Sequence, residues 1–95
     1  MNIYGPWIDI EDTYIISVRT KLFEPSDEFD ALIYPTNKLD YEDLRYSYVC
    51  YVGFDIIGRT HTLDEAKNII DASLKEDRCI LLDDMEKLDK VRPLL

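Results

Sequence analysis

Glycine and proline are scarce in this chain of 95 residues, at three and four. That excludes a flexible linker or a disordered tail, which are rich in both. There is one histidine and there are two cysteines, so a structural zinc site could close only with carboxylates. No apolar run approaches the roughly 18 residues of a membrane-spanning helix. Residues 1–12 lack a basic stretch followed by an apolar one, so no secretory signal is expected. Asn-x-Ser/Thr sites, internal repeats and low-complexity stretches are also missing. Basic residues are the last shortage: 11 Lys and Arg stand against 20 Asp and Glu, a net charge of -9. Affinity for phosphate backbones comes from Lys and Arg releasing counterions. A direct nucleic-acid binder is therefore excluded, and so is docking on anionic membranes.

What is present suffices for one domain spanning residues 1–95. Hydrophobic residues make up 46% of the chain, enough to fill one modest core. A compact body of this length has a radius of gyration of about 12 Å. Cys50 and Cys79 sit inside apolar runs, where inert thiols sit. With no secretory signal, a reduced, cytoplasmic protein is expected.

Residues 7–23 alternate with period two in two pieces: Ile8 and Ile10 against Asp9, then Tyr14, Ile16 and Val18 against Ser17 and Arg19. Glu24, Pro25, Ser26 and Asp27 form a turn signal. Residues 29–34 read as a strand and 38–44 as a loop. Residues 45–52 form the strongest strand, with Tyr46, Tyr48, Cys50 and Val52 on one face. Gly53 breaks it, and Ile56 and Ile57 suit a short returning strand.

The helix reads from Leu63 to about Glu76. Thr62 is its N-cap, and Glu65 three residues on completes a capping box. Leu63, Ala66, Ile69, Ile70, Ser73 and Leu74 share one face at helical spacing. Residues 79–82 read as a short buried strand. Asp83 with Glu86 repeats the capping pattern ahead of a short helix over 84–91, with Met85, Leu88 and Val91 inward. Strands followed by helices predict an α+β fold. It has a small antiparallel sheet of four or five strands, one main helix packed on one face, and a short C-terminal helix. The other face is expected to carry part of the tyrosine set.

Motifs for chemistry are weak. Gly53 to Thr60 resembles the phosphate loop G-x-x-x-x-G-K-[ST] with Arg59 in place of lysine. But the helix starts past Thr60, Asp55 would put a carboxylate in the cradle, and Ile56 and Ile57 favour burial. A turn enabled by two glycines is the better reading. His61, just before the helix, is the only conventional general base, and no serine or cysteine stands in a nucleophile context. Asp83, Asp84, Glu86 and Asp89 fail the calcium-loop pattern, because its sixth position is Leu88 rather than glycine. No catalytic residue, metal ligand or cofactor is assigned.

Charge distribution is the remaining signal. Residues 1–44 carry ten acids and three bases, net -7, whereas residues 45–95 carry ten acids and eight bases, net -2. The excess concentrates in two stretches. One contains Glu24, Asp27, Glu28 and Asp30; the other contains Asp40, Tyr41, Glu42 and Asp43. Seven tyrosines accompany it, and tyrosine offers large contact area with a polar tip. In size, charge and tyrosine content the chain is similar to three groups of small acidic inhibitors: phage-encoded blockers of host defence nucleases, DNA-mimic proteins, and immunity proteins that cap a toxic nuclease. The resemblance extends no further, and no residue is carried over from it.

The expected function is therefore that of a non-enzymatic inhibitor. It would occlude the basic surface of a nuclease or nucleic-acid-binding complex through the eight residues just named. The alternative within this class is an immunity protein for one cognate nuclease. Outside it stand a small enzyme or ligand-binding domain using the turn from Gly53 to His61, and a self-associating structural subunit.

Overall fold

A computed structural model describes residues 2–10, 14–22, 30–39 and 44–87. Among the described residues, eight short strands and one α-helix follow in the order β1 (Ile3–Tyr4), β2 (Ile8–Asp9), β3 (Ser17–Arg19), β4 (Lys21–Leu22), β5 (Ala31–Pro35), β6 (Tyr48–Val52), β7 (Asp55–Thr60), α1 (Leu63–Glu76) and β8 (Ile80–Leu81). Five strands form an antiparallel sheet in the order β2-β3-β5-β6-β7, and three form a second sheet in the order β4-β1-β8. The α+β class, the antiparallel sheet and the single main helix agree with the sequence reading.

The two sheets share one hairpin. Only Thr20 separates β3 from β4, so this stretch of chain runs through both. Opposite it, Tyr4 pairs with Lys21 and Ile8 with Val18. Four steps on one strand thus match three on the other, which is a bulge at Gly5, Pro6 and Trp7. Pro6 has no N–H to offer a ladder and is tolerated at such a site. β8 then pairs with β1 in parallel, Ile3 opposite Ile80. The sequence reading missed β1, whose two residues are too few to show a period.

Hairpin β6–β7 turns through Gly53 and Phe54, with Val52 opposite Asp55. A two-residue loop needs positive φ at its first position, and Gly53 supplies 61°. Gly58 has a different role from the turn expected of it. It lies within β7, where an added Cβ would come within 3.4 Å of Ile69 on α1. The Gly53 to Thr60 segment is therefore hairpin and strand throughout, and no helix starts at Arg59 or Thr60.

Helix α1 begins as expected. The Thr62 hydroxyl oxygen accepts from the Glu65 N–H at 3.1 Å and its hydroxyl faces the Glu65 carboxylate at 3.0 Å. Asp64 and Glu65 stand at the positive end of the helix dipole and Lys75 at the negative end. The helix closes on a Schellman turn: Cys79 N–H donates to the Leu74 carbonyl and Arg78 N–H to the Lys75 carbonyl. Arg78 occupies the left-handed position there, at φ 62°. Ala66, Ile70 and Leu74 bury the inward face against Ala31, Ile33 and Cys50 of the sheet and Tyr4 of the hairpin. Past β8, the described part of the expected C-terminal helix is a 3-10 turn, Met85–Lys87, with Met85 exposed rather than inward. The side-chain cap of this turn comes from Asp84, which accepts from Glu86 N–H, a local turn bond.

Candidate binding face

The helix covers one face of the five-stranded sheet, so strand alternation assigns every sheet residue to a side. Ser17, Ala31, Ile33 and Cys50 face α1. The intervening residues face away, and register aligns five of them in one row: Ile8 pairs with Val18, Val18 with Leu32, Leu32 with Tyr51, and Tyr51 with Ile56. Four strand spacings make this apolar stripe about 19 Å long. Its ends are open, with Ile8 54% and Ile56 44% exposed. Phe54, at the tip of the β6–β7 hairpin, is 80% exposed. Ile56 thus lacks the burial its sequence suggested. The bulge between Cys50 and Tyr51 leaves Ile57, and not Ile56, packed against the core.

Two hollows adjoin the stripe and share Leu32. One, of about 340 Å³, is lined by Leu32, Tyr34, Leu39, Tyr51, Gly53 and Phe54. Tyr34 and Tyr51 meet edge-on in it, their ring centres 5.2 Å apart. Burial, and then the neighbouring Tyr51, raises the Tyr34 hydroxyl pKa above its ordinary value. The other, of about 410 Å³, is lined by Ile10, Ile15, Val18, Thr20, Asp30 and Leu32.

Of the eight residues expected to bind a partner, Asp30 is described. Its carboxylate accepts from Lys21 N–H at 3.0 Å, and its carbonyl accepts from Gly53 N–H at 3.0 Å. Asp30 therefore stitches β4 and the β6–β7 turn to the start of β5, besides lining the second hollow. Glu24, Asp27, Glu28, Asp40, Tyr41, Glu42 and Asp43 lie outside the described residues. Sequence connects them to the face. The first acidic stretch ends at Asp30 in one hollow, and the second follows directly on Leu39 in the other.

A third hollow, of about 310 Å³, is lined by Ile16, Pro35, Thr36, Asn37, Leu44, Tyr46, Ser47 and Tyr48. His61 is exposed and stacks on Tyr46 with ring centres 5.1 Å apart. Cys50 is buried and Cys79 half-buried, both as free thiols. Burial pushes the Cys50 thiol up to about 11, away from thiolate chemistry. Among the described residues, no group of three or more His, Cys, Asp and Glu is placed to hold a metal ion. Among the same residues, no helix is long and apolar enough to cross a membrane.

The stripe was not singled out from the sequence, although a signal exists. β5 (ALIYP) and β6 (YVCYV) contain no charged residue at either alternate position. A strand apolar on both sides supplies two faces that avoid water, and α1 lies on one of them.

No protein-family model matches the chain, no curated protein matches it in sequence, and no solved structure matches it in fold.

Proposed function

We propose that this protein is a non-enzymatic acidic inhibitor that occludes the basic surface of a nuclease or nucleic-acid-binding partner. The observation that supports it most is that the acidic stretches adjoin, in sequence, two residues that line hollows in the face away from the helix. Most of the net charge of -9 falls in residues 1–44. One stretch ends at Asp30 and the other follows Leu39, and these two residues line hollows in the face away from α1. Carboxylates steer a basic partner from a distance and make charge-assisted contacts with Arg and Lys on arrival. Tyrosine and aliphatic residues then supply desolvated contact area. Two free thiols suit a reducing compartment such as the cytoplasm. A phage-encoded anti-defence or DNA-mimic role is the setting this chemistry fits.

The immobilised protein, exposed to nuclease-treated bacterial lysate and eluted with salt, tests the reading. A basic nuclease or nucleic-acid-binding complex should elute and be competed off by added DNA. Replacing Asp40, Glu42 and Asp43 with Asn, Gln and Asn should slow its association. Binding that ignores both salt and DNA, or no binding at all, would sink the reading.

A further inference from the structure

We infer that the apolar stripe Ile8–Val18–Leu32–Tyr51–Ile56 is the docking site for a cationic amphipathic helix of the partner. The inference rests on the acidic-inhibitor reading and names the element that this face receives. The stripe runs across the strands rather than along them, as the chain of register pairs requires. An extended segment laid across the strands would leave its own N–H and C=O groups unpaired against side chains. A helix satisfies those groups internally, and about 13 residues of helix span about 19 Å.

Charge selects the flanks of that helix. Asp30 lines one hollow beside the stripe and Leu39 the other, and in sequence the acidic stretches directly adjoin these two residues. Arg59 also lies on this side, in the neighbouring register row opposite Val49. A helix with an apolar ridge and Lys or Arg on both flanks suits an apolar stripe on a chain of net charge -9. A second copy of this chain would bring a further -9 to the same place, which like-charge repulsion opposes.

The probe is a pair of synthetic peptides of about 14 residues, with leucines among lysines and glutamines. In one, the leucines recur at i, i+4, i+7 and i+11, making a ridge. In the other, the same residues are reordered so that no face is apolar. Both carry the same charge, so charge alone cannot separate them. The ridge peptide should bind the intact protein about tenfold more tightly and move the backbone NMR signals of Val18, Leu32 and Tyr51. Changing the exposed Ile8 and Ile56 together to glutamine should erase most of that preference while the circular dichroism spectrum is unchanged.

Equal affinity for the two peptides, or shifts confined to other surfaces, would overturn the inference. So would face signals that move with protein concentration alone, because a second copy would then hold the stripe. Lysate capture separates this failure from failure of the occlusion reading. DNA-competed capture with no ridge preference leaves occlusion standing and removes the helix. Ridge preference with capture that ignores DNA leaves the helix and removes occlusion.

Discussion

Arg19 offers the sharpest test of how the hairpin, the helix and the C-terminal segment are joined. Its side chain is 2% exposed. One terminal nitrogen (Nη1) donates to the Gly5 carbonyl at 2.9 Å and the Leu82 carbonyl at 3.0 Å. Its Nε lies 3.4 Å from Asp71 Oδ1 on α1, an ion-pair distance without hydrogen-bond geometry. Trp7 donates to that same carboxylate oxygen at 3.1 Å, and its ring lies 5.7 Å from the guanidinium carbon. Replacing Arg19 with methionine keeps the packing volume roughly constant and strands both carbonyls. Hydrogen bonds from a charged group are worth about 1.5–3 kcal/mol each, and two are lost. The expected loss for Arg19→Met, taken at the low end, is therefore about 3–4 kcal/mol of the roughly 5–14 kcal/mol a domain of this size holds. An unfolding entropy of about 0.2 kcal/mol/K for this length converts it to a fall in Tm of about 15–20 °C. Urea unfolding followed by tryptophan fluorescence gives the free energy, and calorimetry gives Tm. Arg19→Lys keeps the charge but gives up the rigid guanidinium plane that presents Nη1 to both carbonyls, so about 2 kcal/mol should go. Asp71→Asn should cost about 1 kcal/mol or less, because that carboxylate is a quarter exposed and Asn still accepts from Trp7. Arg19→Met within about 1 kcal/mol of the parent would refute the carbonyl-anchoring argument. An Asp71→Asn loss as large as that of Arg19→Met would place the energy in the ion pair instead.

Other perturbations test other parts of the molecule. Arg78→Gly should stabilise the fold by about 0.5–1 kcal/mol, since φ 62° is a glycine conformation and the Arg78 side chain is exposed; an unchanged urea midpoint would count against a strained helix end. Burial pushes the Tyr4 hydroxyl from its ordinary 10.0 up to about 12. Between those values the unfolded chain has lost the proton and the folded chain keeps it. This contribution is whole below pH 10 and drains away by pH 12, on the order of 2–3 kcal/mol. Tyr4→Phe should flatten that alkaline limb of stability against pH. Asp9 behaves in the opposite sense: its hydrogen bond from Ser17, then the one from Lys67, holds its pKa below the usual carboxylate value. Its contribution is present above the unfolded pKa and disappears as acid titrates the folded carboxylate, so Asp9→Asn should reduce the acid sensitivity of unfolding. A thiol reagent should modify half-buried Cys79 slowly and Cys50 only on unfolding; rapid reaction of both in the native state would contradict the packing of Cys50 under Ala66.

The parts legible in the sequence were those with a local rule behind them. Thr62 and Glu65 marked the helix start, because a cap is read from four consecutive residues. Gly53 marked the hairpin, because a two-residue loop demands positive φ at that point. Arg19 was not legible. It stood in the polar half of an alternation, yet Ser17 and Arg19 are the residues that face the helix, while Ile16 and Val18 face away. No periodicity announces that two distant carbonyls and a helix carboxylate surround one arginine. β1 escaped for the same reason, since its pairing with β4 and β8 is set by residues far along the chain. The stripe lies between these cases. Each member was visible as an apolar strand residue, but the row exists only through register, and the sequence does not contain the strand order.

Register and charge together produce a consequence that neither has alone. An apolar row about 19 Å long that runs from edge strand β2 to edge strand β7, with both ends exposed, is a surface on which copies of a neutral protein would associate. A charge of -9 opposes that association while attracting a basic helix to the same row. The two processes must therefore respond to salt with opposite signs. Raising salt from about 0.1 to 1 M shortens the Debye length from about 10 to 3 Å. Attraction to a cationic ridge peptide should weaken across that range, and self-association, followed by sedimentation, should strengthen. If the Asn/Gln/Asn triple variant at residues 40, 42 and 43 self-associates at low salt as the parent does only at high salt, charge is what keeps the stripe available. If both processes weaken with salt, copies attract one another electrostatically, and the stripe is not held open by repulsion.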